Sequence, residues 1–277
     1  MVRIRRWIGR FGNNLFQYAA ARLVAEKNGL YLETEWPHDD ILKVLPWDNN
    51  GEKIEPKTEI TEDTYEMDKR CIYRDFKKTG LIMDGYFQDA SFYYPIRDKI
   101  KSWFEPCSCN KNTKDWVCHY RVSDYWMSRV SSVISPRWYE KILMREVGPK
   151  SERRKSEIYI ISEDQKDECV VELSKRVGGI NASDSVKNDF NFLRSFENII
   201  CSNGSFAWWA AFLSDFKKCY MFTPWMRFHH NMHLKNFPGV TWSNGDYATN
   251  PAKAKEWDIK SENNLERYWE DWKNAKK

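Results

Sequence analysis

Residues 198–213 read Asn-Ile-Ile-Cys-Ser-Asn-Gly-Ser-Phe-Ala-Trp-Trp-Ala-Ala-Phe-Leu. A short apolar run, Asn198 to Ser202, meets four small or polar residues and then the longest strongly apolar stretch of the chain, Phe206 to Leu213. That order reads as strand, tight loop, helix. The loop has two readings. Small residues opening a helix after a strand leave backbone N–H groups free to take a phosphate, helped by the helix dipole. Alternatively, a serine simply caps the helix.

The same order opens the chain. Residues 2–8 alternate Val and Ile with Arg and Trp, which predicts a strand. Gly9 and Gly12 punctuate a turn, and Leu15, Phe16, Ala19, Ala20 and Leu23 then fall at helical spacing. Leu30–Thr34 reads as a second strand, whereas residues 35–80 are polar, proline-punctuated and show no clear element. Leu81–Phe87 reads as a strand, Ala90–Phe104 as a helix and 105–115 as a linker. Further strands are expected at Trp116–His119, Ile158–Ser162 and Cys219–Thr223, with helices between them such as Pro136–Val147 and Phe206–Phe216. Strands alternating with helices predict an α/β fold with parallel sheets covered on both faces. Two such units, 1–113 and 114–250, put a crevice at the carboxyl ends of their strands. Residues 251–277 read as a charged, tryptophan-studded amphipathic helix that packs back on the body.

Composition removes several function classes. With 277 residues, 42% hydrophobic and 30% charged, the chain has material for a sizeable core, which excludes disorder and fibrous repeats. The net charge of +4 is spread along the chain, with no basic run of the kind nucleic-acid binding needs. Seven cysteines show no paired spacing for zinc, and Cys118 and Cys201 sit in apolar runs as buried thiols of a reducing compartment. No stretch approaches the length of a membrane span, and no apolar signal segment follows the basic N-terminus. His229 and His233 stand four apart but lack the glutamate of a metalloprotease helix, so no metal site is expected.

Three strand ends carry chemistry. After Trp116–His119 come Tyr120, Arg121, Val122, Ser123, Asp124 and Tyr125. Arg121 is a permanent cation able to hold a phosphate through two N–H groups, or else it pairs locally with Asp124. After Ile158–Ser162 come Glu163 and Asp164, which accept hydrogen bonds from a base or ribose, unless Ser162 or Asp164 caps the next helix. The third is the loop at 202–206. The chain holds no Asp-x-Asp pair for a metal-bridged diphosphate, so any phosphate must be met by arginine and helix ends.

Together these segments resemble the α-1,2-fucosyltransferase family, glycosyltransferase family 11. Its G-x-x-G-N-Q-L-F-Q-Y-A opening is similar to Gly9-Arg-Phe-Gly12-Asn13-Asn14-Leu15-Phe16-Gln17-Tyr18-Ala19. Its G-Y-F-Q segment resembles Gly85–Gln88, followed by Asp89, and its H-x-R-x-G-D-Y motif resembles His119–Tyr125. The S-D-D strand end resembles Ser162-Glu163-Asp164, and the S-N-S-S-F-S-W-W-A-A motif resembles Ser202–Ala211. The matched segments cover about a quarter of the chain, in family order.

The resemblance implies a GT-B fold of two Rossmann-like halves, with the first half on the acceptor side. It further implies inverting, metal-independent transfer of fucose from a GDP-sugar, a co-substrate rather than a cofactor, to a glycan hydroxyl. By position, Arg121 neutralises the diphosphate, His119 contacts the nucleotide, and Ser202, Asn203, Ser205 and Phe206 receive the phosphates. Glu163 or Asp164 reads the base or ribose, and Gly12, Asn13 and Asn14 shape the cleft. Asp89, Asp84 and Asp124 are the candidates for the catalytic base, with Asp124 also suited to a structural role. The resemblance is to unanchored bacterial or viral members, and the expected location is the cytoplasm.

The departures fall on the donor side. Val122 stands where the family has a second arginine, Ser123 where it has glycine, and Glu163 and Gly204 replace an aspartate and a serine. Asn14 replaces a glutamine. These leave open another nucleotide-activated deoxysugar or pentose as donor, or an inactive carbohydrate-binding homologue.

Overall fold

The computed structural model of the protein describes residues 1–61, 74–126, 132–149, 156–223 and 237–248. The His229/His233 pair and the tail helix expected over 251–277 lie outside these residues. The first sheet holds β1 (Val2–Ile4), β2 (Leu32–Glu33), β3 (Glu59–Thr61) and β4 (Leu81–Asp84), all parallel, in the order β2-β1-β4-β3. Between β1 and β2 runs α1 (Phe11–Asn28), buried along most of its surface and ended by Gly29, whose φ of 62° places it in the left-handed region.

The second sheet holds β5 (Asn112–His119), β6 (Ile158–Ile161), β7 (Ile180–Asn181), β8 (Phe196–Cys201), β9 (Lys218–Thr223) and β10 (Val240–Asn244). Its order is β10-β9-β8-β5-β6-β7, again all parallel. The chain leaves β5 toward β6 and β7, then returns to build outward from the other side of β5 through β8. The reversal lies between β5 and β8, where a doubly wound sheet opens a ligand crevice.

Helices α4 (Pro136–Glu146), α5 (Glu168–Val177) and α6 (Val186–Arg194) follow β5, β6 and β7. Each is started by a side chain: Ser135, Asp167 and Ser185 accept the N–H of Arg137, Cys169 and Asn188. Thus Asp167, and neither Ser162 nor Asp164, caps the helix after β6. Helix α7 (Ser205–Leu213) follows β8 and is apolar all round, the mark of a helix with no solvent face. Among the described residues no helix is long and apolar enough to cross a membrane.

Where α7 is buried explains the fold. Trp208 and Trp209 have no exposed surface, and Phe16 of α1 lies with its ring centroid 4.8 and 5.0 Å from theirs. Trp208 stacks on Phe212 at 5.0 Å. One aromatic core therefore runs from the first sheet through α1 and α7 to Val117, Ile199 and Met221 of the second. A separate core, with Trp138, Tyr139 and Leu173, covers the far face of the second sheet. The far end of α7 is also gripped from the first half. Arg97 donates to the carbonyls of Phe212, at 2.7 Å, and Ser214, and Lys101 donates to Ser214 at 3.2 Å and pairs with Asp215. Cations on the last carbonyls suit the negative end of the helix dipole.

The α/β, GT-B-type expectation agrees with this architecture; several element boundaries do not. The helix expected over 90–104 is broken into α2 (Ala90–Tyr93), a tight 3-10 turn (Tyr94–Ile96) and α3 (Arg97–Lys101). Pro95 removes an N–H, and Ile96, with φ of −124° and ψ of 27°, leaves the helical region before the chain turns helical again. The boundary at 113/114 falls inside β5, which begins at Asn112. The segment ahead of it is not a loose linker, because Arg194 donates to the Glu105 carbonyl at 3.0 Å and Cys107 to that of Asn191 at 3.1 Å. Strand β1 stops at Ile4 because Gln17 takes the Ile8 N–H and donates to the Arg6 carbonyl, holding the chain in a loop. The six cysteines among the described residues are free, and Cys118 and Cys201 are buried as expected.

Candidate active site at the meeting of two helix ends

The carboxyl ends of β5 and β8 are locked together by His119 and Ser202. His119 Nδ1 lies 2.6 Å from Ser202 Oγ, and both residues are buried. Burial lowers the imidazole pKa to about 4, so the ring is neutral at physiological pH. Its face lies 5.3 Å from the Phe206 ring, tilted by 31°. His119 thus props the first turn of α7 from beneath.

A neutral buried histidine makes stability depend on pH. The unfolded chain protonates His119 near pH 6.5 and the folded chain only near pH 4. The unfolded state therefore binds more protons in that window, and stability falls as pH drops through it, by about 3 kcal/mol in all. Urea titrations at pH 7, 5.5 and 4.5 should show this loss, and His119→Asn should flatten it. An unchanged slope in the variant would assign the acid lability elsewhere.

The N-terminus of α7 meets the N-terminus of α1. Gly12 fits against the Ser205–Phe206 peptide so closely that a Cβ there would lie 2.5 Å from the Phe206 nitrogen. Beside it, Asn13 Oδ1 accepts from Ser205 Oγ at 2.7 Å and from Gln88 Nε2 at 2.9 Å. The N-cap residues, Arg10 for α1 and Gly204 for α7, provide no side-chain cap. Two partial positive charges therefore face one place.

Two guanidiniums flank it. Arg121, at the end of β5, keeps 11% of its side chain exposed. It pairs through Nη2 with Asp124 Oδ1 and through Nη1 with Glu163 Oε1 at 2.6 Å, and its guanidinium lies 5.0 Å from the Tyr125 ring centroid. The second oxygen of Asp124 takes Arg10 Nη2 at 2.8 Å. Glu163 also accepts the Val122 N–H at 3.1 Å, and burial, partly opposed by Arg121, raises its carboxyl pKa. The local ion pair of Arg121 with Asp124 is therefore present. It does not remove Arg121 from the crevice.

The other sequence candidates divide. Gly12, Asn13, Ser205 and Phe206 come together at the two helix ends, and His119 lies directly beneath. Ser202 and Asn203 are buried, the first spent on His119 and the second reaching the Ser132 carbonyl at 3.4 Å. Asn14 is also buried and holds the loop before α1, with Oδ1 2.8 Å from His38 Nε2 and Nδ2 on the Ile8 carbonyl at 3.0 Å. Asp89 is buried at the start of α2, accepting the N–H and hydroxyl of Ser91 at 2.9 and 2.6 Å. Asp84 pairs with Arg6 at 3.1 Å, and Asp164 accepts the Lys166 N–H at 3.0 Å in an exposed turn. Of the carboxylates considered as a base, Asp124 is the one between the guanidiniums. Arg10 and Gln88 belong to the site although their residue types alone did not mark them.

Ser123, where the family motif has glycine, adopts a φ of 45°. A side chain in this left-handed region costs about 1 kcal/mol. Ser123→Gly should therefore raise the melting temperature, by about 2 °C at most for a chain of this size. Calorimetry checks this, and a lower melting temperature would mean that the Ser123 side chain repays the strain.

A family model described as Glycosyl transferase family 11 matches residues 5–237, most of the chain and every segment assembled above. No curated protein and no solved structure matches.

Proposed function

The chain belongs to glycosyl transferase family 11, and we propose that it moves fucose from GDP-fucose to a sugar hydroxyl of a glycan, with inversion and without a metal ion. The observation that carries this reading is the convergence of two uncapped helix N-termini and two guanidiniums beside the switch point of the second sheet. In the transfer, the acceptor oxygen bonds to the anomeric carbon from the face opposite the diphosphate. The bond from that carbon to the β-phosphate oxygen breaks, GDP leaves with the electron pair, and the hydroxyl proton passes to a base. The diphosphate gains negative charge as the sugar becomes oxocarbenium-like. Fixed N–H groups and guanidiniums already aimed at that charge lower the barrier without reorganising.

The deciding experiment is a thermal-shift series with GDP, UDP, CDP and dTDP, each in EDTA, followed by GDP-fucose turnover. The reading expects stabilisation by GDP above the others and turnover that survives the chelator. Loss of turnover in EDTA overturns the metal-free step. One observation favours a second reading, a different nucleotide-sugar donor: Glu163, expected on the base or ribose, is engaged with Arg121 and the Val122 N–H. Selective stabilisation by UDP, CDP or dTDP would choose it.

A further inference from the structure

We propose that Arg10 supplies the second cation for the donor's diphosphate, and that Asp124 is a stand-in anion which the diphosphate displaces. The inference rests on the nucleotide-sugar reading above, and it concerns a residue that lies between Gly9 and Gly12, ahead of α1.

The Asp124 carboxylate bridges the two halves of the site. One oxygen holds Arg121, which follows β5 of the second sheet, and the other holds Arg10, which precedes α1 of the first. Two guanidiniums from different elements thus converge on one small anion. A phosphoryl group offers more oxygens and more charge in the same place, so it can take both guanidiniums at once.

Three further observations point the same way. Arg10 is the N-cap residue of α1, where the helix dipole opposes a cation, and the first turn of α1 contains no acidic residue. A cation in that position is unfavourable until an anion joins it. Val122, the neighbour of Arg121, is buried in the far core of the second sheet and brings no charge. Finally, the charges of the cluster balance. Arg10 and Arg121 are offset by Asp124 and Glu163, so a diphosphate enters favourably only as a carboxylate leaves. Asp124 is the one able to leave, with 57% of its side chain exposed against 29% for Glu163, which the Val122 N–H also holds. Arg10, at 69% exposure, has room to follow the anion.

Isothermal titration with inorganic pyrophosphate, GDP and guanosine tests this on wild type, Arg10→Gln, Arg10→Lys and Asp124→Asn. Arg10→Gln should weaken pyrophosphate and GDP about tenfold, the worth of one charge-assisted contact, and leave guanosine unchanged. Arg10→Lys should recover part of that loss. Asp124→Asn should tighten pyrophosphate, because no carboxylate then competes. Arg10→Gln that binds pyrophosphate like wild type, or that loses guanosine as much as GDP, overturns the role of Arg10. Asp124→Asn that binds pyrophosphate no better than wild type overturns the displacement. Wild type preferring another nucleoside diphosphate to GDP sinks the GDP-fucose reading while the pyrophosphate ratios still judge Arg10. Wild type binding neither pyrophosphate nor any nucleoside diphosphate sinks both.

Discussion

Arg121→Ala should slow transfer at least a hundredfold, about 3 kcal/mol of barrier, the usual cost of losing one fixed donor to a developing anion. The same change disturbs the fold, and the two effects need separating. Arg121 holds Glu163, whose carboxyl pKa burial already raises. Without the guanidinium, Glu163 keeps only the Val122 N–H and loses its cationic partner, and stability falls by about 1 kcal/mol, a modest figure because 29% of that side chain meets water. Arg121→Ala combined with Glu163→Gln should therefore regain much of the stability and none of the rate. Steady-state turnover of GDP-fucose beside urea unfolding reads both quantities. If the double variant recovers turnover, Arg121 acts on the reaction only through the fold.

The fold was legible where strands are buried on both faces. Trp116–His119, Ile158–Ser162, Asn198–Ser202 and Cys219–Thr223 announce themselves as apolar runs, and each corresponds to a strand at or near the centre of the second sheet. The missed strands are edges. In β3 only Ile60 turns inward, both residues of β7 are exposed, and β10 is no more than half-buried. Strands so short and so wet carry little periodicity to read. The break at Tyr94–Pro95 was written in the sequence, but an apolar spacing that continues past it reads as one helix.

The site was legible in its location and less so in its orientations. Neighbouring residues of a strand end face opposite ways, and spacing alone does not say which. Ser202 thus turns inward to His119 while Ser205, three residues on, meets Asn13 across the helix ends. Asp89 carried a sign of its fate, since Asp-x-Ser before an aromatic residue is a capping pattern. Arg10 carried one too: an arginine at the mouth of a helix with no acid in its first turn is out of place unless an anion arrives. Gln88 had no such sign, because its partner Asn13 lies 75 residues away in the chain.

Gly12→Ala should damage the fold and the rate together. Its Cβ would lie 2.5 Å from both the Phe206 nitrogen and the Ser205 carbonyl carbon, and 2.7 Å from Ser205 Oγ. Two of those atoms are backbone and cannot rotate away. Nor can α7 retreat as a body, because Trp208 and Trp209 fix it in the shared core and Arg97 and Lys101 hold its far end. Alanine is the better helix former by about 1 kcal/mol, which works against the clash without cancelling it. The net expectation is a stability loss of about 2 kcal/mol or more. On the proposed function, transfer should slow about a hundredfold, since the Ser205–Phe206 turn must shift by part of an ångström from the position proposed to receive the diphosphate. Gly29→Ala, at the other end of α1, is the control: its Cβ meets open space and only the φ of 62° resists it. That variant should lose about 1 kcal/mol and keep its rate. If Gly12→Ala behaves like Gly29→Ala, the close approach of α1 to α7 does not set the geometry of the site. If it folds less well and loses rate far beyond its stability, the contact between the two helix ends is what positions the phosphate-facing turn.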